Sequence, residues 1–379
     1  MREQGEVPQG VATLATENFQ RELRALRRSV RFQEYAQIEE QMKPSGVLNR
    51  FVWAVGNAFL SVLAPLDKKL EDQGLLERLR PSKQVEAIIT DGPASKLIRE
   101  NQTKLDALTL SNEACWAREH QRRDAYRAEG RSDASPVVLI PYLSVCVILD
   151  FLFSNRPIQR FWMLETVARM PYFAYTSCLH LYESFGWWRA GAELRKIHNA
   201  EEYNELHHLL IMESLGGDKN WVDRFLAHHA ALVYYWFLVF LYMVNPRASY
   251  EFSELVEEHA TDTYSQFLEE NASRLKGLPA PRVAVDYYSG ADLYLFDAFQ
   301  TSEESVLEQR RPEMNNLYDV FSAVRDDEEE HIKTMKSCKD RTIQGHLKEQ
   351  KRLREKQLQA QGILQVGANV VTSTTDLSE

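Results

Sequence analysis

From Phe225 to Pro246 the chain carries no Asp, Glu, Lys or Arg, and the run is centred on Ala230 to Val244. A run of this length can cross a bilayer. It can equally form a helix buried all round in a bundle. His228 and His229 sit in its first third, and Arg224 and Arg247 flank it symmetrically, so hydropathy alone leaves both options open.

The rest of the chain supplies the punctuation. Long helical patterns run from Pro136 to about Asp340, with little strand alternation. They break at Gly216-Gly217-Asp218, at Asn245-Pro246 and at Gly277-Leu278-Pro279-Ala280-Pro281. This predicts an all-α bundle over residues 136–340. Ser132-Asp133-Ala134-Ser135-Pro136 reads as a linker. Residues 1–135 then form a partly helical extension of unknown role. It holds a basic segment, Arg21 to Arg31, and an apolar one, Leu48 to Leu66, with Phe51, Trp53, Phe59 and Leu63 at roughly helical spacing. Residues 341–379 are first basic and Gln-rich, then Thr/Ser-rich, and read as a solvated helix fraying into disorder.

Several function classes find no support. A net charge of −10 argues against nucleic-acid binding. Gly216-Gly217 lacks the Lys-Ser/Thr of a phosphate loop, and there is no nucleophile elbow. The four cysteines, Cys115, Cys146, Cys178 and Cys338, show no CxxC spacing, so buried free thiols are expected. Met1 to Glu6 has no apolar stretch and early acids, so neither a secretory signal nor a transit peptide is readable.

The chemistry concentrates in four carboxylates and two histidines. Glu205 and His208 form one E-x-x-H, and Glu328 and His331 form another. Residues i and i+3 share a helix face, so each pair can present a carboxylate and an imidazole to one ion. Two such motifs are close to what chance gives in a chain this rich in Glu. Their weight comes from context. Glu165 and Glu257 stand in apolar helical surroundings, where a carboxylate is costly unless paired or metal-bound. Ferritin-like di-iron bundles use this inventory: one Glu from each of two helices and Glu-x-x-His from each of two others. The chain order, Glu165, Glu205/His208, Glu257, Glu328/His331, divides into two like halves. Mixed oxygen and nitrogen ligation suits iron or manganese.

At these residues the chain resembles the plastid terminal oxidases, the plastoquinol oxidases of the alternative oxidase family. The resemblance lies in Leu164 to Phe173 (LETVARMPYF), Glu183 to Arg189 (ESFGWWR), Asn204 to Glu213 (NELHHLLIME), Gly290 to Asp297 (GADLYLFD) and Arg325 to His331 (RDDEEEH). It runs from about Tyr142 to Lys339. The mitochondrial alternative oxidases share the carboxylate and histidine pattern. This chain departs from them in His259, where they usually carry an acid, and in a longer stretch between Glu257 and Glu328. Both departures favour the plastid branch. The long N-terminal extension and the Lys/Gln-rich tail are unusual for that branch.

The resemblance implies a ferritin-like four-helix di-iron bundle with additional membrane-associating helices, lying on one leaflet as a monotopic protein. That favours a bundle helix for Phe225–Pro246. It implies two iron ions held by Glu165, Glu205, Glu257 and Glu328. His208 and His331 either bind iron or orient the carboxylates. Asn204 and Asp327 would be hydrogen-bond partners of these groups. Tyr264, two turns after Glu257, would be redox-active, although a core tyrosine fits that spacing equally well. Arg160, Leu164 and Thr263 would line the quinol site. The implied reaction is plastoquinol oxidation coupled to four-electron reduction of O2 to water at the plastid thylakoid membrane, by a homodimer. Trp187, Trp188, Arg189 and Arg195 suit either the membrane interface or a dimer face. Competing expectations are a mitochondrial-type ubiquinol oxidase, another di-iron enzyme such as a desaturase or hydroxylase, and a metal-free helical scaffold.

Overall fold

The computed structural model describes residues 9–32, 47–79, 93–188, 192–290, 293–300 and 310–339, together with Leu353 and Lys356. Arg189 and nearly all of the tail fall outside the described residues, as do the side chains of Phe51, Trp53 and Phe59. Among the described residues there is no strand. The elements are α1 (Val11–Phe32), α2 (Val47–Asp72), α3 (Pro93–Asp106), α4 (Asn112–Ala128), α5 (Pro136–Leu152), α6 (Pro157–Ser184), α7 (Ala192–Ser214), α8 (Trp221–Val244), α9 (Pro246–Lys276), α10 (Arg282–Tyr288), α11 (Leu293–Phe299) and α12 (Leu317–Lys339). The protein is all-α.

The long helices start where local chemistry dictates. Pro157 and Pro246 occupy the first turns of α6 and α9, where a missing N–H costs nothing. Asn245 closes α8 and opens α9: preceding a proline, it is extended (φ −152°), and its side chain accepts from the Ala248 N–H at 3.2 Å. After α7 the chain turns through Gly216 at φ +84°, and a Cβ on Gly217 would meet Trp162 Cβ at 2.4 Å. The glycine pair therefore lets this turn close onto α6.

Four helices surround the centre. α9 packs along α12, and α6 packs along α7 and α8. An antiparallel bridge between Pro279 and Asn316 ties the end of α9 to the start of α12, so these two run in opposite directions. The main core holds Phe161, Trp162, Tyr264, Phe267 and Phe321. None of the four cysteines is in a disulfide, and three are buried.

α8 is long and apolar enough to cross a membrane. It does not have the all-round burial of a core helix. Ala227, Ala231, Leu238 and Tyr242 are buried against the bundle, while Leu232, Val233, Trp236 and Phe240 are exposed. Its contacts run along α6, from His228 on Trp162 to Tyr242 on Tyr182. α5 shares this character: Val138, Tyr142 and Cys146 face inward around Phe252, and Val137, Ile140, Val147 and Ile148 face out.

Residues before 136 join the packing. α4 lies along α9, where Arg122 bonds Asp262 at 2.9 Å and Tyr126 bonds Glu258 at 2.9 Å. α1 and α2 pair through Arg27 and Arg31 against Asp67 and Glu71. Glu22 of α1 reaches Arg224 of α8 at 2.7 Å.

Candidate metal centre

Four helices each bring one Glu, and two bring His, to one buried point. Glu165 comes from α6, Glu205 and His208 from α7, Glu257 from α9, and Glu328 and His331 from α12. None is more than 2% exposed. They form two ligand groups: Glu165, Glu205, His208 and Glu328, and Glu205, Glu257, Glu328 and His331. Within each group the ligand atoms all lie within 4.8 Å of one another. Glu205 and Glu328 belong to both groups, so these two carboxylates can bridge a pair of ions.

The donor atoms are arranged for metal ions rather than for one another. Both Glu205 oxygens, Glu165 Oε2, Glu328 Oε2, His208 Nδ1 and His331 Nδ1 are buried without a hydrogen-bond partner. His331 Nδ1 lies 2.8 Å from Glu205 Oε1, but the pair is not aligned as a hydrogen bond. Buried polar atoms left unpaired are costly, so a cluster of six points to ligands that supply charge. Four carboxylates and neutral imidazoles match the charge of two divalent ions and suit hard, oxygen-preferring metals such as iron or manganese. The residues fit a two-metal site.

Electrostatics follow from crowding. Burial, reinforced by the Glu205 charge, pushes the Glu165 carboxyl well above the usual range. Burial and the Glu328 charge do the same to Glu257. Burial would also raise Glu205, but His331 and His208 outweigh it and hold that carboxyl down.

The supporting shell is built around Asp327. Its Oδ2 accepts from His208 Nε2 at 3.0 Å, from Asn204 Nδ2 at 2.9 Å and from the Tyr288 hydroxyl at 2.8 Å. Arg310 pairs with Oδ1. This fixes the His208 tautomer with Nε2 protonated and Nδ1 turned to the carboxylates. Asn204 also donates to Tyr287 Oη at 2.8 Å. Asp327 thus bonds His208 directly, and Asn204 joins the same network through Asp327.

Tyr264 donates to Glu165 Oε1. Its ring stacks on Phe161 at 4.2 Å. Sequence reasoning missed its counterpart. The Tyr172 hydroxyl donates to Glu257 Oε1 at 2.8 Å. Tyr172 follows Glu165 by seven residues, as Tyr264 follows Glu257. Each tyrosine therefore holds the carboxylate of the other helix. The repeated seven-residue spacing was the available signal.

Arg160, Leu164 and Thr263 are all buried, and Arg160 and the Thr263 hydroxyl both meet His259. Arg160 donates to Asn112 Oδ1 at 2.9 Å and Asp150 Oδ1 at 2.6 Å, and lies 3.1 Å from His259 Nε2. The Thr263 hydroxyl donates to the His259 carbonyl at 2.7 Å. Glu119 of α4, also unforeseen, accepts from the Tyr142 hydroxyl at 2.8 Å and faces His259 Nδ1 at 3.4 Å. Burial lowers His259, but Cys146 and Glu119 overcome it and raise the imidazole to about 9. Trp187 and Trp188 are exposed beyond the end of α6. Arg195 of α7 pairs with Glu183 at 2.8 Å.

Comparison with known proteins matches the chain to a family. The family model described as alternative oxidase matches residues 77–340. Ubiquinol oxidase 4, chloroplastic/chromoplastic, of Arabidopsis thaliana is 57% identical over 195 residues, covering 52% of this chain and 55% of that protein. The mitochondrial ubiquinol oxidase of Mangifera indica is 29% identical over 203 residues, covering 52% of this chain and 55% of its own. Mitochondrial ubiquinol oxidase 1b of Oryza sativa subsp. japonica is 26% identical over 189 residues, covering 50% of each chain. The chain spans about half the length of the curated relatives it matches. No solved structure matches it significantly. The chain belongs to the alternative oxidase family.

Proposed function

We propose that this chain is a plastid-type quinol oxidase, coupling plastoquinol oxidation to four-electron reduction of O2 to water at a di-iron centre. The observation that carries this reading is the pair of overlapping ligand groups sharing Glu205 and Glu328. Two iron ions would be held by Glu165, Glu205, Glu257 and Glu328, with His208 and His331 as nitrogen donors. The oxidase domain would be residues 136–340, with α4 packed onto it. The higher identity to the chloroplastic relative, 57% against 29% for a mitochondrial one, supports the plastid type and a plastid location. Within the plastid, the thylakoid membrane is the expected site.

When bound, the iron pair supplies the redox chemistry with O2 that protein side chains lack. The chain's own residues do the rest. Asp327 holds the His208 Nε2 proton and so keeps Nδ1 free as a donor. Tyr264 and Tyr172 hold Glu165 and Glu257 in place, and each hydroxyl proton sits on a hydrogen bond along which it can shift to the carboxylate. Phe161 and Phe321 pack beside Tyr264, with Phe267 against both of them, and keep water from that side of the centre. Arg160, Leu164 and Thr263 would receive the quinol head, with Arg160 held in place by Asp150.

The exposed apolar residues of α5 and α8 would rest in one leaflet without spanning it, with a lipid-soluble substrate entering from that side. Vesicle co-sedimentation tests this: Trp236→Glu with Phe240→Glu releases the protein. The assembly expected is a homodimer, checked by sedimentation.

The deciding experiment is oxygen uptake by iron-loaded protein with decyl-plastoquinol and with decyl-ubiquinol, beside Glu328→Ala. Faster uptake with plastoquinol, lost in the variant, supports the reading. A preference for ubiquinol would favour the mitochondrial type. No uptake with either from folded, iron-replete protein would sink the quinol assignment.

A further inference from the structure

A second buried polar system lies beside the centre, and the chemistry above makes no use of it. His198 of α7 places Nδ1 3.1 Å from Glu201 Oε2 and Nε2 3.0 Å from the Tyr250 hydroxyl. All three side chains are buried, His198 and Glu201 fully. A carboxylate accepting from Nδ1–H leaves Nε2 as the acceptor for the phenol. Tyr250 thus has a base on its proton, and that base is braced by a second one.

These residues sit inside a run of oxidisable rings. The Tyr172 ring lies 5.4 Å from the His331 ring and 6.1 Å from His198. His198 stacks on Tyr250 at 5.8 Å. Tyr250 meets Tyr242 at 5.5 Å, with hydroxyls 3.3 Å apart. Tyr242 lies 6.3 Å from Tyr182, and Tyr182 lies 6.2 Å from Trp187, whose indole is 69% exposed. On the other side of the centre Tyr264 is enclosed by Phe161 and Phe321, which are far harder to oxidise.

We propose that Tyr172, Tyr250, Tyr242, Tyr182 and Trp187 form a relay that carries oxidising equivalents from the metal centre to the surface. The relay rests on the di-iron reading above but does not require quinol as the substrate. It acts when the centre is oxidised without enough reductant, and it protects the ligands from damage.

One electron moves inward from Trp187 and fills a one-electron deficit at the centre, and the indole N–H proton leaves to water. Tyr172 shifts its phenol proton to Glu257 Oε1 and regains it when refilled. As the deficit passes Tyr250, its phenol proton moves to His198 Nε2, and Tyr242 then passes both an electron and its hydroxyl proton to Tyr250 across their 3.3 Å contact. When Tyr182 supplies the next electron its phenol proton leaves to water, and the proton held on His198 returns through Tyr250 to Tyr242. No bare charge is left in the core, which burial would penalise. A soluble thiol then reduces the indole. Two such events turn two thiols into a disulfide, releasing two electrons and two protons. Tunnelling falls steeply with distance, so several short steps between adjacent rings outrun one long one.

The test uses the full iron-loaded chain without quinol, given a short pulse of hydrogen peroxide. Peptide mass spectrometry locates added oxygen, and electron paramagnetic resonance records radicals. Wild type gains oxygen at Trp187. Tyr175 lies 5.4 Å from His198, 4.6 Å from Tyr250 and 5.0 Å from Tyr242 and offers a parallel step, so Tyr250→Phe together with Tyr175→Phe loses that modification. So does Tyr182→Phe, a half-buried site whose substitution spares the core, and it retains radical signal on the inner tyrosines. Metal-free protein shows no Trp187 oxidation that depends on Tyr250 and Tyr175. Equal Trp187 oxidation in all iron-loaded forms, or none in wild type, overturns the relay. Quinol-driven uptake on the same samples separates the two readings, because Tyr182→Phe should keep it. Uptake absent everywhere, with Trp187 labelling intact, would remove the quinol reading and leave the relay standing.

Discussion

The two halves of the centre carry the same parts and hold them differently. In one half, Glu165 and the Glu205/His208 pair face Tyr264. In the other, Glu257 and the Glu328/His331 pair face Tyr172. Residue 327, just before Glu328, is Asp, and residue 204, just before Glu205, is Asn. The outer nitrogen of His208 bonds Asp327, whereas His331 Nε2 has no hydrogen-bond partner. Tyr264 ends in phenylalanine, whereas Tyr172 leads into tyrosine. A repeated motif thus supplies a symmetric set of candidate ligands, and the neighbours of that set decide which imidazole is fixed and which side carries the proposed relay.

The largest expected effect separates shared ligands from unshared ones. Glu205→Ala or Glu328→Ala removes a residue from both groups and should abolish binding of both ions, by metal analysis of folded protein. Glu165→Ala or Glu257→Ala should leave about one ion per chain, because each touches one group only. Equal loss in all four variants would break the bridging comparison. Next, Asp327→Asn should weaken metal binding about 10–100-fold by freeing the His208 tautomer. Asn204→Ala should cost less, since Asn204 reaches the site through Asp327. If the two variants weaken binding alike in metal titration, the asymmetry of the imidazoles is unimportant.

A smaller effect tests the crossed tyrosines. Tyr172→Phe and Tyr264→Phe each take a donor from a buried carboxylate. Each should cost about 1–3 kcal/mol in denaturant unfolding of metal-free protein. A double variant with an additive loss would show that the two sides act separately. The smallest effect reports how each side opens. Cys115 packs in the core on the Tyr264 side and Cys178 on the Tyr172 side. Burial pushes both thiols up to about 11. Only roughly a thousandth would be thiolate at pH 8, so alkylation should be slow and rise about tenfold per pH unit until near 11. Fast labelling at pH 8 of one cysteine alone would mark its side as the mobile one.

Much of the centre was legible because its signals are local. The i, i+3 spacing put Glu205 with His208, and Glu328 with His331, on single helix faces. Apolar neighbours around Glu165 and Glu257 marked acids that needed partners. Tyr172 was readable in principle, from a seven-residue spacing that occurs twice. Glu119 was not readable: it precedes the expected boundary at 136, and its burial exists only because α4 lies along α9. The character of α8 was half legible. Its length and lack of charge were plain, but an uncharged run looks the same whether one side or all sides are covered.

Helices α6, α7, α9 and α12, the start signals of α6 and α9 at proline and asparagine, and the six metal-binding candidates were determined by the sequence alone. Capping, periodicity and residue type act within a few residues of one another. Which carboxylates belong to both ligand groups, which imidazole is braced and which rings line up toward Trp187 were decided only by tertiary structure. These depend on how four helices are rotated and set against one another, and that is fixed by side-chain packing between segments far apart in the chain.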